Sequence, residues 1–336
     1  MVYFQSENLA DLNFSPLPNL HVILDDEGEE IEITGLWDQN GILYWHRRLR
    51  TPVCLTGECN LIDLGIYWYC TGEFLGLEIY GEHLTKTDHT VFSPNDYERL
   101  TDILHNDWSK LREYELSELV DDVYEENPKV DGTSGATKQE ITQEAVEHAV
   151  YTTHTIWHLV HVGEKNQLAD LTAKKINQNQ NLLDNLLLYG KSDVYKKFVL
   201  SLIASRKIET ADWINSLVIE SLKEDSRELQ SLAIESLSKC DYSDPSFLNE
   251  LTKIYRDFPL EGKMQFLGEF QNLASLPGQL FHVIVQDIEN QQDWYVIRVF
   301  QLFKNNEGHR KELSKVARKI GETDNQALKS VLMEFQ

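Results

Sequence analysis

Short apolar runs separated by turn signals occupy residues 20–92, and beyond them the hydrophobic period becomes that of helices. His21-Val22-Ile23-Leu24 and Ile31-Glu32-Ile33-Thr34 are predicted strands around the turn formers Asp25-Asp26-Glu27-Gly28. Ile42 to His46 follows Asn40-Gly41, a strong hairpin dipeptide. Leu61 to Trp68 and Phe74 to Tyr80 flank a second hairpin signal, Thr71-Gly72-Glu73. The runs are aromatic-rich and alternate imperfectly, which predicts a curved, partly covered antiparallel sheet. Helices are predicted from Asn95 to His105, where Leu100, Ile103 and Leu104 share a face, and from Leu116 to Tyr124. The polar stretch 125–137 contains Pro128, Gly132 and Gly135 and reads as a loop, followed by a long helix over 138–162.

From about Asn166 the texture is helical throughout. Patterns of 10–15 residues recur at 166–177, 180–188, 193–205, 210–222, 227–239, 246–256, 260–273, 278–289, 292–304, 308–319 and 325–334, with Gly190, Asp225, Pro245, Pro259, Pro277 and Gly321 as breakers. Paired helices repeating every 30–40 residues are the signature of a HEAT- or armadillo-like α-solenoid. A compact helical bundle is the alternative. Leu183, Leu186 and Leu187, and Leu232, Ile234 and Leu237, are ordinary packing stripes. The expected architecture is an α+β domain over 1–163 followed by an all-α repeat domain over 164–336.

Charge supports that division. The 336 residues carry 31 Lys and Arg against 55 Asp and Glu, a net of −24. Residues 1–163 hold 30 acids and 9 bases, whereas 164–336 hold 25 and 22. So acidic a chain is not built for phosphate backbones, which need clustered cations, and nucleic acid is excluded as a partner. No apolar run reaches the ~20 residues of a membrane-spanning helix. Met1 to Ser6 contains Tyr-Phe-Gln-Ser, which resembles the scar of an engineered protease site; on that reading a natural leader has been trimmed. Cys54, Cys59 and Cys70 lie within 17 residues and Cys240 lies apart, a spacing that matches neither a zinc ribbon nor an iron–sulfur run. One disulfide among the first three fits an exported protein; the alternative is three reduced cysteines packed as small apolar residues.

The chemically informative stretch is Val130-Asp131-Gly132-Thr133-Ser134-Gly135-Ala136-Thr137-Lys138-Gln139-Glu140-Ile141. Small side chains let a backbone approach a bulky ligand, and the free N–H groups of a following helix would suit a phosphate. The plainer reading is a capping box, with Thr137 at the N-cap and Glu140 three residues on.

Asp131-Gly132-Thr133-Ser134-Gly135-Ala136-Thr137 resembles the flavinylation signature, Asp-x-x-Ser/Gly-Gly-Ala-Thr, of the FMN-binding domain family. That family includes subunits of sodium-translocating NADH:quinone oxidoreductase and of Rnf electron-transfer complexes. The resemblance implies FMN joined by a phosphoester bond to the hydroxyl of Thr137, installed by a flavin transferase that uses FAD. Asp131, Ser134, Gly135 and Ala136 would form the recognition loop. Gly72 to Glu78 is similar to the family's strand–turn–strand segment. Glu82-His83-Leu84-Thr85 falls where the family places a loop against the isoalloxazine ring, which makes Leu84 and Thr85 ring contacts. The helical second half has no counterpart in those subunits. Because such transferases act largely outside the cytoplasm, the resemblance also implies an exported, periplasmic protein.

Three further groups of residues carry chemistry. His154, His158 and His161 share one face at i, i+4 and i+7. They read as a hydrogen-bonded polar seam against the sheet or the second domain, as a metal or haem site, or, through His158, as a flavin contact. Leu84 to His89 gathers a cation, an acid and an imidazole, yet no nucleophile–base–orienter set emerges. Arg47, Arg48 and Arg50 would pair with the flavin phosphate or with nearby carboxylates. The function expected is an electron-transfer flavoprotein module that docks a redox partner protein through its helical repeats and need not turn over a substrate itself. A cofactor-free helical scaffold, with Thr137 only a helix cap, and a redox sensor acting through Cys54 and Cys59 are the rivals.

Overall fold

The turn chemistry of the first half builds one sheet. Our computed structural model describes the chain except residues 1, 16–18, 25–27, 55–58, 60, 121–137, 162–163, 191–192, 210–212, 272, 274–275, 289–290, 305–306, 322 and 336. Strands β1 (Val2–Gln5), β2 (Asn19–Leu24), β3 (Glu30–Trp37), β4 (Leu43–Thr51), β5 (Ile62–Tyr69) and β6 (Phe74–Tyr80) are all antiparallel, in the order β1-β6-β5-β4-β3-β2. At the β3–β4 turn Gly41 takes φ 71° and the Asp38 carboxylate accepts the backbone N–H groups of Asn40 and Ile42 at 2.8 and 2.9 Å. Gly72, at φ 86°, makes the β5–β6 hairpin. β1 has no counterpart among the predicted strands: the residues resembling a protease scar pair with β6, Phe4 against Ile79 and Gln5 against Glu78.

The sheet has two unlike faces. Ile33, Trp45, Leu64, Ile66, Trp68, Leu77 and Ile79 are fully buried on one of them. Helix α3 (Val150–His161) and helix α4 (Glu164–Gln178) cover that face, with the Trp68 indole donating to the Val160 carbonyl at 3.1 Å and the Trp45 indole to Thr172 Oγ1 at 3.0 Å. Thr172 Oγ1 in turn donates to the Cys70 carbonyl at 2.6 Å, so both indoles are satisfied in the core. The other face carries Tyr44, His46, Arg48, Tyr67, Glu78 and Tyr80. It is crossed by the short helix α1 (Glu7–Ala10), whose Leu9 lies over Gly76, and by Phe14, stacked on Tyr67 with ring centroids 5.7 Å apart.

Helix α2 (Pro94–Leu104) starts where Ser93-Pro94 places it. The Ser93 N–H donates to Asp96 at 2.8 Å and Ser93 Oγ accepts the Asp96 N–H at 3.3 Å, a complete capping box. Two predicted helices do not form as drawn. Within 116–124 the described residues, 116–120, contain a 3-10 turn, Leu116–Glu118, and no α-helix. The long helix over 138–162 is a turn, a 3-10 segment at Thr142–Glu144, and then α3 alone. Tertiary bonds explain the break. The His148 carbonyl accepts the Thr87 N–H at 2.7 Å and the Thr87 hydroxyl at 2.9 Å, and His148 sits at φ 60°, outside helical space. Arg99 similarly takes the Gln143 carbonyl.

The chain divides into two compact units, 1–191 and 192–336, rather than at 163/164. Helices α4 and α5 (Gln180–Tyr189) belong to the sheet unit: Thr172 bonds Cys70, Gln167 bonds Leu24, and Asn185 donates to the Gly41 carbonyl at 3.3 Å. The second unit contains α6 (Asp193–Ala204), α7 (Ile214–Lys223), α8 (Arg227–Glu235), α9 (Pro245–Asp257), α10 (Leu260–Phe270), α11 (Gly278–Ile288), α12 (Asp293–Phe303), α13 (Glu307–Ile320) and α14 (Gln326–Met333). Among the described residues it contains no strand. Each helix packs on the helix two places along: α6 on α8, α7 on α9, α8 on α10, α9 on α11, α10 on α12, α11 on α13 and α12 on α14. Its core includes Phe266, Phe270, Phe281 and Phe300.

Candidate functional site

The residues flanking the flavinylation-like motif are pinned at both ends. Leu119 and Ile141 are fully buried, and the Lys138 N–H donates to the Leu119 carbonyl at 3.2 Å. The Tyr114 hydroxyl donates to Glu140 at 2.5 Å, and the Lys138 ammonium lies 4.9 Å from the Tyr114 ring centroid. Glu140 therefore does not serve a capping box, and no α-helix starts behind position 137: Gln139 to Ile141 is a turn. Without a helix there, the macrodipole argument for a phosphate falls away. Asp131, Ser134, Gly135, Ala136 and Thr137 lie outside the described residues.

The histidine seam forms, against a partner other than the two expected. On α3, His154 Nε2 bonds the Tyr114 carbonyl at 2.7 Å, His158 Nε2 that of Leu111 at 3.1 Å, and His161 Nε2 that of Leu104 at 2.8 Å. The Trp157 indole adds a fourth bond, to the Asn106 carbonyl at 3.0 Å. The seam thus fastens the irregular segment 104–114 to α3. Burial pushes the His154 imidazole down to about 4, against the carbonyl bond and together with the neighbouring His158, whose ring centroid is 4.1 Å away. Burial lowers His161 too, although Asp107 stands 3.3 Å from its Nδ1. Among the described residues no group of three His, Cys, Asp or Glu side chains is arranged to hold a metal.

Of the candidate ring contacts, Leu84 is fully buried, and its N–H is used up in donating to the Tyr97 hydroxyl at 3.0 Å. Thr85 is exposed and pairs across its loop with Val91. His158 is half-buried with Nε2 engaged. Lys86 is tied to Asp96 at 2.9 Å, so the loop's cation is spoken for. The loop does meet the segment after the motif, through Thr87 and His148. Arg48 pairs with Asp63 at 3.0 Å, as the carboxylate alternative required. Cys54 and Cys59 form a disulfide, and Cys70 and Cys240 are free and buried.

A cluster on the second sheet face escaped the sequence reading. The Tyr67 hydroxyl donates to Glu78 Oε2 at 2.8 Å, and the Tyr80 hydroxyl bonds the same oxygen. The Arg48 guanidinium lies 4.3 Å from the Tyr80 ring centroid, and the His46 ring 4.5 Å from that of Tyr67. Burial drives His46 down to about 4, opposed by Glu78 and aided by Arg48, while burial and the bond to Glu78 push the Tyr80 phenol up to about 12. At neutral pH the His46 imidazole and the two phenols beside Glu78 are therefore neutral. Period-two counting along β4, β5 and β6 places all five side chains on one face, and that is the signal that finds them. In the second unit a shallow cavity of about 730 Å³ is lined by Ser201, Ser205, Arg206, Glu235, Lys239 and Glu269, a mixed set that selects no single charge class.

In comparisons with known proteins, no family model, no curated protein and no solved structure matches this chain.

Proposed function

We propose that the sheet unit carries FMN on Thr137, attached by an FAD-using flavin transferase, and that the helical unit is a HEAT-like array that docks a redox partner protein. The observation that carries this reading is the motif Asp131 to Thr137 standing between two residues, Leu119 and Lys138, that are hydrogen-bonded to each other. A segment whose two ends are tied offers a transferase a defined approach without disturbing the fold. Bound FMN would supply one- or two-electron redox chemistry. Of the described ring candidates only exposed Thr85 fits contact with it; Leu84 and His158 do not, and no electron-transfer step is assigned to any residue. The packing of each helix on the second next supports an array over a compact bundle. The Cys54–Cys59 disulfide favours an oxidising, exported setting.

The test is the intact mass of the protein coexpressed with a flavin transferase. A gain of one FMN less one water, absent in Thr137→Ala, supports the reading. An unmodified chain with the transferase active on a control substrate overturns it. The second reading, a cofactor-free scaffold, is favoured by one specific observation: the helix expected behind Thr137 is absent, so the phosphate has lost its electrostatic seat, and with it goes the helix that Thr137 was expected to cap in that scaffold.

A further inference from the structure

The sheet has two edges, and they are guarded differently. β1 is four residues long and irregular in register, both of which blunt an edge. β2 is six residues, Asn-Leu-His-Val-Ile-Leu, with no Lys, Pro, Asp or Glu and a regular register on β3. Leu24 gives its N–H to Gln167 Oε1 at 2.9 Å and its carbonyl accepts the Gln167 amide, so the backbone of Leu24 faces away from β3. Since the period is two, the N–H and C=O groups of Leu20 and Val22 face the same way. Gln167 therefore closes one end of the edge, and among the described residues Leu20 and Val22 have no partner on that side. Their side chains form a stripe with Leu24 on the solvent face, 61%, 49% and 49% exposed.

Charge selects what fits there. Directly opposite Leu24 and Val22 across the strand pair stand Glu30 and Glu32, both exposed. Residues 19–37 contain six acids, Asp25, Asp26, Glu27, Glu29, Glu30 and Glu32, and no Lys or Arg. A strand added beside β2 would lie two strand spacings, about 9.6 Å, from β3, within reach of a lysine or arginine side chain laid across the apolar stripe. A second copy of this chain would bring the same acidic stretch and no cation of its own.

We propose that the β2 edge, at Leu20 and Val22, takes up an extended segment of a partner protein in which apolar and basic residues alternate. Backbone pairing supplies the attachment, the apolar residues cover Leu20 and Val22, and the basic ones reach Glu30 and Glu32. This site is independent of Thr137 and of any flavin.

The probes are two blocked ten-residue peptides, one alternating valine and lysine and one alternating valine and glutamate, measured on the full chain by anisotropy and by amide hydrogen exchange. The valine–lysine peptide should bind, slow exchange at Leu20 and Val22, and weaken as salt is added. The Glu30→Gln/Glu32→Gln double variant should lose about tenfold in affinity and much of the salt dependence. Val22→Pro removes an outward N–H, which an edge strand tolerates, and should abolish the protection. If that variant melts the sheet unit, the double variant decides alone. Equal binding of both peptides, no binding of either, protection at other strands, or protection of Leu20 and Val22 by dimerisation without peptide each overturns the proposal.

Discussion

Lys263 offers a sharp test of how the helical unit is held together. It is 4% exposed, and its ammonium lies 3.1 and 3.0 Å from the two carboxylate oxygens of Asp287. Gln291 donates to Asp287 at 3.0 Å and the Tyr295 hydroxyl at 3.4 Å, while Tyr295 also bonds Tyr255. One network thus joins α9, α10, α11 and α12. Lys263→Met keeps the volume and deletes the charge, leaving Asp287 without its cation. Breaking a buried pair on one side costs about 3–5 kcal/mol. Because Asp287 is 17% exposed on its side chain and keeps Gln291, the low end, about 3 kcal/mol, is expected. The comparison is Lys223→Met, whose pair with Glu250 at 3.0 Å is solvent-exposed and should matter by about 0–1 kcal/mol. Hydrogen exchange of peptides spanning 260–303, with urea melts of the whole chain, reads both. The double variant Lys263→Met/Asp287→Leu should recover most of the loss, since neither charge is then stranded. If Lys263→Met costs no more than Lys223→Met, burial is not what gives this pair its weight.

The sheet unit should lose stability on acidification. His154 has a folded pKa near 4 against 6.5 unfolded, so the unfolded chain binds more protons, and stability is lost as pH falls from about 6.5 to 4. His154→Gln, which can still donate to the Tyr114 carbonyl, should flatten that slope in melts at stepped pH. Gly72→Ala should destabilise by about 2 kcal/mol or more, because φ is 86° and the new Cβ would run into the Lys165 backbone; a loss under 1 kcal/mol by urea titration would contradict the placement of α4. Thiol titration of the denatured protein should find two free thiols, Cys70 and Cys240, and four only after reduction.

The helices of the second unit were legible because their determinants are local. The apolar period lies within each helix and the caps lie beside it, Asp244 before α9 and Ser226 before α8, and α9 spans Pro245–Asp257 against the expected 246–256. The differences at 138–149 and at the unit boundary are tertiary. Nothing in the sequence around 138–149 announces that Thr87 takes the His148 carbonyl or Arg99 that of Gln143, and a pattern read as continuous helix breaks there. The boundary shifted past α4 and α5 for the same reason: the bonds from Thr172, Gln167 and Asn185 to the sheet span more than 100 residues. β1 was missed because four residues are too few to show a period.

The histidine seam shows where legibility divides. The spacing of His154, His158 and His161 fixes that they share a face, but their chemistry depends on what lies opposite. Three backbone carbonyls lie there, so each ring is committed as an Nε2–H donor and loses the lone pair a metal would need at that atom. Between the end of α2 at Leu104 and Tyr114 the chain forms only a 3-10 turn, Lys110–Glu113, in which the Leu111 carbonyl also accepts the Tyr114 N–H at 3.4 Å, so few of its carbonyls are held by a helix ladder. Rigid aromatic N–H donors on α3 meet them at small entropic cost. At His161 both nitrogens face acceptors, the Leu104 carbonyl and Asp107, which by itself favours imidazolium. Asp107, however, is bound more closely by Lys165, at 2.6 Å, so its charge is already matched and burial keeps the ring neutral. Removing Lys165 should therefore raise the His161 pKa, which ties the titration of the seam to the first turn of α4.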